Sequence, residues 1–493
     1  MNAASRSAPS LAARLAHWPL LLPLAITVGA LLPWNPVGPF DARTMEPLAD
    51  AHLDYPLSGA LLEPAAAIGH ALSGAPDPKL AALATLAWVL AGGLLWGGWR
   101  RRRAGGAVLV GAARGAGLAG LGFLAYVGLY FLVPFPSWEL TPTERAPIVA
   151  DLQTHTHGSH DSIVRPRTNL RTLADRGVEV VAITEHKDPG GAFAARELAQ
   201  SAADLPGVIP GVELQGPEGY VLGLGVLPDM ALPDKLRTYG EVDRFTERMR
   251  TVGGATIALG WKLRRPDVDR MAAAGIDGFE IANMGHPDVP APVRRRLLTQ
   301  AEERGLVLAA SSDWHGWTGT WRTWTLVRPA AGATGEPSQQ VLHSLRQPAT
   351  AEITPAVAGR IGPPATWRVA LAPVVESVRY AAELDAARVA GWWLWAGVAL
   401  LAGRALRRRN HAPAAVLGRA ALATVGIALL FNAAPLAFSP AAAAVNPAFH
   451  QKIGNYGLLL GGLALLVALT PALRAFFRRH LSPRGNTGPP GHT

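Results

Sequence analysis

The chain has 493 residues, a formal charge of +10, 49% hydrophobic and 17% charged residues, and no cysteine. The missing cysteines exclude disulfides and thiolate metal sites, so any metal has to be held by His, Asp or Glu. The positive charge does not point to nucleic acid. Much of it is arginine beside apolar runs, at Arg100 to Arg103, Arg404, Arg407 to Arg409, Arg474, Arg478 and Arg479, where the bias that orients membrane helices puts it.

A helix that crosses a bilayer needs roughly 20 mostly apolar residues. Leu15–Trp34 is the first such run; a signal peptide is the competing reading, but no small-residue cleavage site follows before Trp34-Asn35-Pro36, which favours a retained anchor. Lys79–Trp99 and Ala107–Val133 complete an N-terminal membrane region over residues 1–140. A soluble domain over 147–350 and a linker over 351–388 follow. Val389–Ala405, Ala414–Phe438 and Ile453–Phe476 form a C-terminal membrane region over 389–480, and a Pro- and Gly-rich disordered tail covers 481–493. No Asp or Glu lies within these spans, so they read as anchors and not as an ion pathway.

Arg6 and Arg14 precede the first span, and arginine clusters follow the second, fourth and sixth. All four clusters can face the cytoplasm together. The acidic loop from Asn35 to Pro78 and the middle domain are then outside, and both termini are inside. The expected location is the inner membrane, with the bilayer as one partner.

In the middle domain, β-rich runs alternate with amphipathic stretches. The expected strands are Ile148–Thr154, Glu179–Thr184, Gly207–Leu214, Tyr220–Val226, Ala255–Leu259, Gly278–Ala282 and Leu306–Ala310. Helical stretches such as Leu170–Arg176, Ala192–Ala203 and Ala291–Gly305 lie between them. That pattern implies parallel strands in a small α/β barrel. His155, His157, His160 and Asp161 follow the first strand, Glu185 and His186 the second, Glu213 ends the third, and Asp313 and His315 follow the last. Carboxyl ends of parallel strands share one face, so these residues are expected to converge on a metal. A bridging carboxylate such as Glu213 suits paired ions that activate water for phosphoester hydrolysis.

At these residues the chain resembles the PHP (polymerase and histidinol phosphatase) family of metal-dependent phosphoesterases. Asp151-Leu-Gln-Thr-His155-Thr-His-Gly-Ser159-His160-Asp161 looks like its D-L-H-x-H-T-x-x-S-D motif, and Ala182-Ile-Thr-Glu-His186 like I-T-D-H. Gly211-Val-Glu213 and Gly278-Phe-Glu280-Ile match its two G-x-E motifs, and Ser311-Ser-Asp313-Trp-His315 looks like S-D-A-H. The resemblance implies a distorted (β/α)7 barrel flanked by three transmembrane helices on each side, with phosphoester hydrolysis at up to three metals. It implies His160, His186 and His315 as one ligand set, with His160 preferred to Asp161, and His155, Glu213 and Asp313 as another, with Gln153 where the family has histidine. Leu259 and Tyr220 stand where further histidines are usual, so the third site is not expected. One or two ions of Zn, Mn or Fe are.

His186 and Lys262 are the catalytic candidates. Lys262 either supplies the charge of the missing ion or is a solvated surface lysine. Arg165 and Arg167 are candidates for clamping phosphate oxygens. The expected function is hydrolysis of a phosphate ester, free or membrane-associated, outside the cytoplasm, with no nucleic-acid partner. The alternative is a non-catalytic metal- or ligand-binding sensor or scaffold with a degraded site.

Overall fold

The computed structural model describes residues 18–32, 37–144, 147–285, 289–317, 319, 321–329, 333–359, 366–409, 412–438 and 444–481. Its strands are β1 (Pro39–Asp41), β2 (Ala51–Asp54), β3 (Glu139–Pro142), β4 (Ile148–Thr154), β5 (Val180–His186), β6 (Gly207–Gln215), β7 (Tyr220–Leu224), β8 (Ala255–Leu259), β9 (Gly278–Asn283), β10 (Val307–Ser311), β11 (Thr323–Arg328) and β12 (Glu352–Ala358). Ten form one sheet in the order β1-β12-β11-β4-β5-β6-β7-β8-β9-β10, and β2 pairs with β3.

The seven expected strands are β4 to β10, but the fold is a mixed α/β sheet of ten strands and not an all-parallel set of seven. β7 runs antiparallel to both β6 and β8. Its link to β6 is a tight turn closed by Gly216 and Gly219, and a turn that short can only reverse the chain. β11 runs antiparallel to β4 and β12. β12 lies inside the stretch read as a linker, and β1 inside the stretch read as an external loop. Both belong to the sheet, with β1 pairing with β12. The three residues of β1 are too few to carry a readable alternation, and β12 is buried along almost its whole length, so neither has a period-2 pattern to find.

The sheet curls until β10 lies beside β4 and β11. Side chains and loop backbone join this seam: Thr325 Oγ1 bonds the Ala310 backbone, Thr323 Oγ1 donates to Ser311 O, and Asp313 N donates to Gln153 O. Alternation along the strands then sorts the side chains. Val180 and Ala182 of β5, Ile209 of β6 and Ile257 and Leu259 of β8 pack in the interior, joined by Val341 and Leu345 of the helix Pro337–Arg346. Val212 and Leu214 of β6 and Phe279 and Ile281 of β9 pack outward in a second cluster. The same parity turns His186, Glu213 and Glu280 inward near the carboxyl ends.

Among the described residues, five helices are long and apolar enough to cross a membrane: Pro78–Arg103, Val108–Leu132, Ala386–Arg408, Pro413–Phe438 and Pro447–Arg474. Within the first expected span, Leu15–Trp34, the described residues form the apolar helix Trp18–Ala30. Residues 15–17 and 33–34 of that span, Arg6, Arg14 and the tail from Ser482 lie outside the described residues. Two further helices, Leu57–Ser73 and Ala372–Ala382, fall in stretches read as loop and linker.

Buried charge ties the helices to the domain. Arg322 bonds Glu383 at 2.9 Å, and Arg379 bonds both Glu376 and Glu383 at 2.7 Å. The Arg388 guanidinium lies over the Tyr55 and Trp138 rings, 4.5 and 4.2 Å from their centroids. Arg388 is near the domain end of its helix and Arg407 and Arg408 at the other, so domain and arginine cluster occupy opposite ends.

Candidate metal centre

The loop after β4 carries a serine, Ser159, that organises its neighbours. Ser159 Oγ donates to Glu185 Oε2 at 2.5 Å and accepts the His186 backbone N–H at 3.0 Å. With its one proton given to Glu185, it accepts at 3.1 Å from His155 Nδ1, which puts a proton on Nδ1 of that ring. His155 Nε2 then faces Asp313 Oδ1 at 3.1 Å and Glu213 Oε2 at 3.2 Å. His315 is oriented in the same way, its Nδ1 donating to the carbonyl oxygen of Asp313 at 2.7 Å and leaving Nε2 free for the cluster. Asp313 itself has φ +53, a left-handed conformation that Asp tolerates better than most residues. It turns the chain so that Asp313 and His315 address the same space.

Among the described residues, three groups of side chains have ligand atoms close enough to share an ion: His155, His186 and His315; His160, Asp161 and His186; and His155, Glu213 and Asp313. Asp161 Oδ1 is 3.5 Å from His186 Nε2 and 3.5 Å from His315 Nε2. Those gaps are too long for hydrogen bonds. They match the edge of about 3.4 Å between ligands that sit about 2.1 Å from one ion in a tetrahedral shell. The donor types and the two inward-facing Nε2 atoms therefore fit a divalent cation.

His160, preferred in the sequence, is 63% exposed and lies 3.9 Å from Asp161; Asp161 makes the contacts to both His186 and His315. The side chains of Arg165 and Arg167 are exposed at the start of the helix Pro166–Ala174. Lys262 is exposed on a short turn after β8, with Nζ 4.3 Å from the Tyr220 ring centroid, 4.9 Å from that of Trp261 and 3.3 Å from the Tyr220 hydroxyl. No described hydrogen bond or ion pair joins these three cations to the cluster.

Gln153 behaves differently from a ligand. Its amide nitrogen donates to Glu213 Oε2 at 2.8 Å and to Asp313 Oδ1 at 3.0 Å, while its carbonyl oxygen faces the Asn283 amide at 3.5 Å. Two carboxylates require donors between them, and that requirement sets which way the amide points. Its oxygen is therefore turned away from the place where the resemblance puts an ion.

Burial and charge set the protonation states. Burial disfavours charge on His155, but hydrogen bonds and charge from Asp313 and Glu213 outweigh it and hold its pKa well above the histidine range. Burial likewise disfavours a charged Asp161, but His186 and His315 overcome it and hold that carboxyl far below its usual range. Burial pushes Glu280 well above the carboxylate range, with Asn283 opposing as a donor. Burial pushes Asp151 up to about 7, against hydrogen bonds from Ser312 and Gln153. Glu185 is raised by burial too, although His155, Ser159 and Thr156 oppose the shift.

Ser159, Asn283 and the bracing role of Glu185 were not singled out in the sequence, although Ser159 and Glu185 lie inside the quoted motifs. A hollow of about 370 Å³ lined by Lys187, Asp188, Pro189, Phe193, Met230 and Leu232 opens beside His186. A larger one of about 1030 Å³ lies around Gly207 and Ser338, at the amino ends of the strands. It brings no His–carboxylate group together, so size does not mark the site here.

No family model matches the chain. An uncharacterized protein of Methanocaldococcus jannaschii is 29% identical over 151 residues, which are 28% of this chain and 84% of that protein. Among solved structures, a candidate metal-dependent phosphoesterase from Bifidobacterium adolescentis is similar at 18% identity over 34% of this chain and 87% of its own, with a TM-score of 0.28. An amidohydrolase from Chromobacterium violaceum is similar at 16% identity over 34% and 87%, with a TM-score of 0.28. PsfC from Pseudomonas syringae is similar at 14% identity over 48% and 99%, with a TM-score of 0.32.

Proposed function

We propose that this chain is a membrane-anchored, metal-dependent phosphoesterase whose catalytic domain lies outside the cytoplasm. The observation that carries the reading is the convergence of His155, His186, His315, Asp161, Glu213 and Asp313 at the carboxyl ends of three strands and the seam between them. Apolar side chains fill the rest of the interior, so packing alone gives no reason for this cluster.

His186, His315 and Asp161 would hold one divalent ion, with His160 or His155 completing its ligands. Zn, Mn and Fe all suit that donor set. When bound, such an ion supplies Lewis acidity to a phosphoryl oxygen and makes water reactive near neutral pH. The chain's own residues do the rest. Ser159 and Glu185 fix the ring of His155 and the backbone of His186. The Asp313 carbonyl holds His315 in the tautomer with a free Nε2. Lys262, Arg165 and Arg167 are proposed as rim charges for phosphate oxygens.

Purified full-length protein, stripped of metal and reloaded with Zn, Mn or Fe, should hydrolyse a generic phosphomonoester only when loaded. A reporter that is active only outside the cytoplasm should be active when fused near Gly335 and silent at Arg409. The second reading, a sensor or scaffold, is favoured by Gln153, whose amide occupies the space between two carboxylates. Metal binding without turnover on any phosphoester would select it.

A further inference from the structure

The loop that carries His160 and Asp161 is docked on the ends of the apolar helices. Val445 N donates to His157 O at 3.0 Å, Asn446 Nδ2 to His160 O at 2.9 Å, and His450 Nε2 to Ser162 O at 2.9 Å. His450 is 2% exposed, so the last of these bonds is buried. Ser162 Oγ and Ile163 N in turn donate to His315 O at 3.0 and 3.1 Å, which ties the loop bearing His315 to the same support. Two residues further on, Trp317 stacks on Phe131 with ring centroids 4.2 Å apart and meets Phe449 edge-on at 5.9 Å. Phe131 is the penultimate residue of the helix Val108–Leu132, and Phe449 lies in the first turn of the helix that starts at Pro447.

The sequence of that last helix sets the depth of the contact. Asn446, His450, Gln451 and Lys452 are polar, and the long apolar run starts at Ile453. Ile453 is three positions after His450, about 4.5 Å along a helix axis. The headgroup layer on each side of a bilayer is about 5–8 Å thick. A loop bonded to residues 445–450 therefore lies at headgroup depth, and the ring contacts of Trp317 suit that boundary. Lys452 is exposed at the same level and favours anionic headgroups. A site serving a freely diffusing ester gains nothing from this placement. A phosphate carried on a lipid lies at this level already.

We infer that the substrate is a phosphate ester borne by a membrane lipid, whose acyl chains remain in the bilayer while its headgroup reaches His160, Asp161, His186 and His315. The inference rests on the phosphoesterase reading above and holds for either side of the membrane.

The test uses full-length protein in phosphatidylcholine vesicles, loaded with metal, and compares phosphatidic acid in the same vesicles with glycerol 3-phosphate in solution. Surface confinement should raise kcat/KM for the lipid by at least about tenfold, with a rate that follows its surface fraction. Equal or better turnover of glycerol 3-phosphate would overturn the inference and leave the phosphoesterase reading standing. Turnover of neither would overturn that reading, and a second arm then decides the inference. A lipid with a photoreactive group at its phosphate should label residues 157–163 even in metal-free protein. Labelling confined to the apolar helices would overturn it.

Discussion

The two halves of the cluster contain the same kinds of donor and behave in opposite ways. On one side, His186, Asp161 and His315 are 17%, 38% and 15% exposed and hold their ligand atoms 3.5 Å apart. On the other, His155, Glu213 and Asp313 are nearly buried and are drawn to 2.8–3.2 Å by hydrogen bonds from the Gln153 amide and the His155 imidazole. Imidazole and carboxylate in one loop do not by themselves make an ion site. An open half leaves its charges to be satisfied by a cation, while a closed half satisfies them with protons from its own side chains.

The largest expected effect breaks the open half. His186→Ala should remove about one bound metal per chain and lower phosphoester turnover at least about a hundredfold, read by elemental analysis and kinetics on the reconstituted protein. Asp161→Asn should behave in the same way and His160→Ala should have a smaller effect on turnover, since Asp161 contacts two imidazoles while His160 is the most exposed member of the cluster and can be replaced by His155. The opposite ranking would return the ligand role to His160.

Next comes the closed half. Gln153→His replaces an amide that bonds both carboxylates by a ring that can coordinate, and should add about one metal per chain. An unchanged metal content would mean that something other than Gln153 keeps this half closed.

Asp151, which accepts the backbone N–H groups of Gln153 and Ser312, gives a smaller and pH-dependent effect. Its pKa is raised to about 7 by burial, from about 3.9 in an unfolded chain. Between those values the folded chain keeps a proton that the unfolded chain has released. Its contribution to stability is thus fully present below about 3.9 and lost as pH rises through about 7. Asp151→Asn removes that loss. The unfolding free energy of the variant, relative to the parent, should rise between about pH 4 and 7, by no more than about 1.4 kcal/mol per pH unit, read by denaturant titration at each pH. A constant difference across that range would mean that Asp151 is ionised in the fold.

The smallest effect is expected at Glu280. Burial pushes its carboxyl well above the carboxylate range, which favours the neutral form, and glutamine is a neutral group of the same shape. Glu280→Gln should shift the thermal midpoint at pH 7 by less than about 3 °C and leave metal content unchanged. A large loss of metal would mean that Glu280 acts as an anion in the cluster.

Strands β4 to β10 were legible because each is an apolar run bounded by turn residues, and the convergence of His155, His186, Glu213, Asp313 and His315 on one place was legible because each sits at a strand exit. The long helices could be read from the length and apolarity of their runs. The roles of individual donors were less legible. His160 and Asp161 are adjacent in the chain, and nothing in their order tells which one turns inward. Gln153 reads as a weakened ligand in the sequence, yet folded it faces two carboxylates that arrive from β6 and from the loop after β10, and there it becomes a donor.

What the sequence determined by itself is what depends on neighbours along the chain: periodicity, span length, and the kind of chemistry that histidines and carboxylates at strand ends can support. Only the tertiary structure decided the ten-stranded sheet with β1 and β12 in it, the seam at Asp313, the orientation of Gln153, and the docking of the His160 loop on residues 445–450. Each depends on pairing between segments far apart in sequence. Hydrogen-bond demand and burial choose among such pairings, and neither exists until the chain has closed on itself.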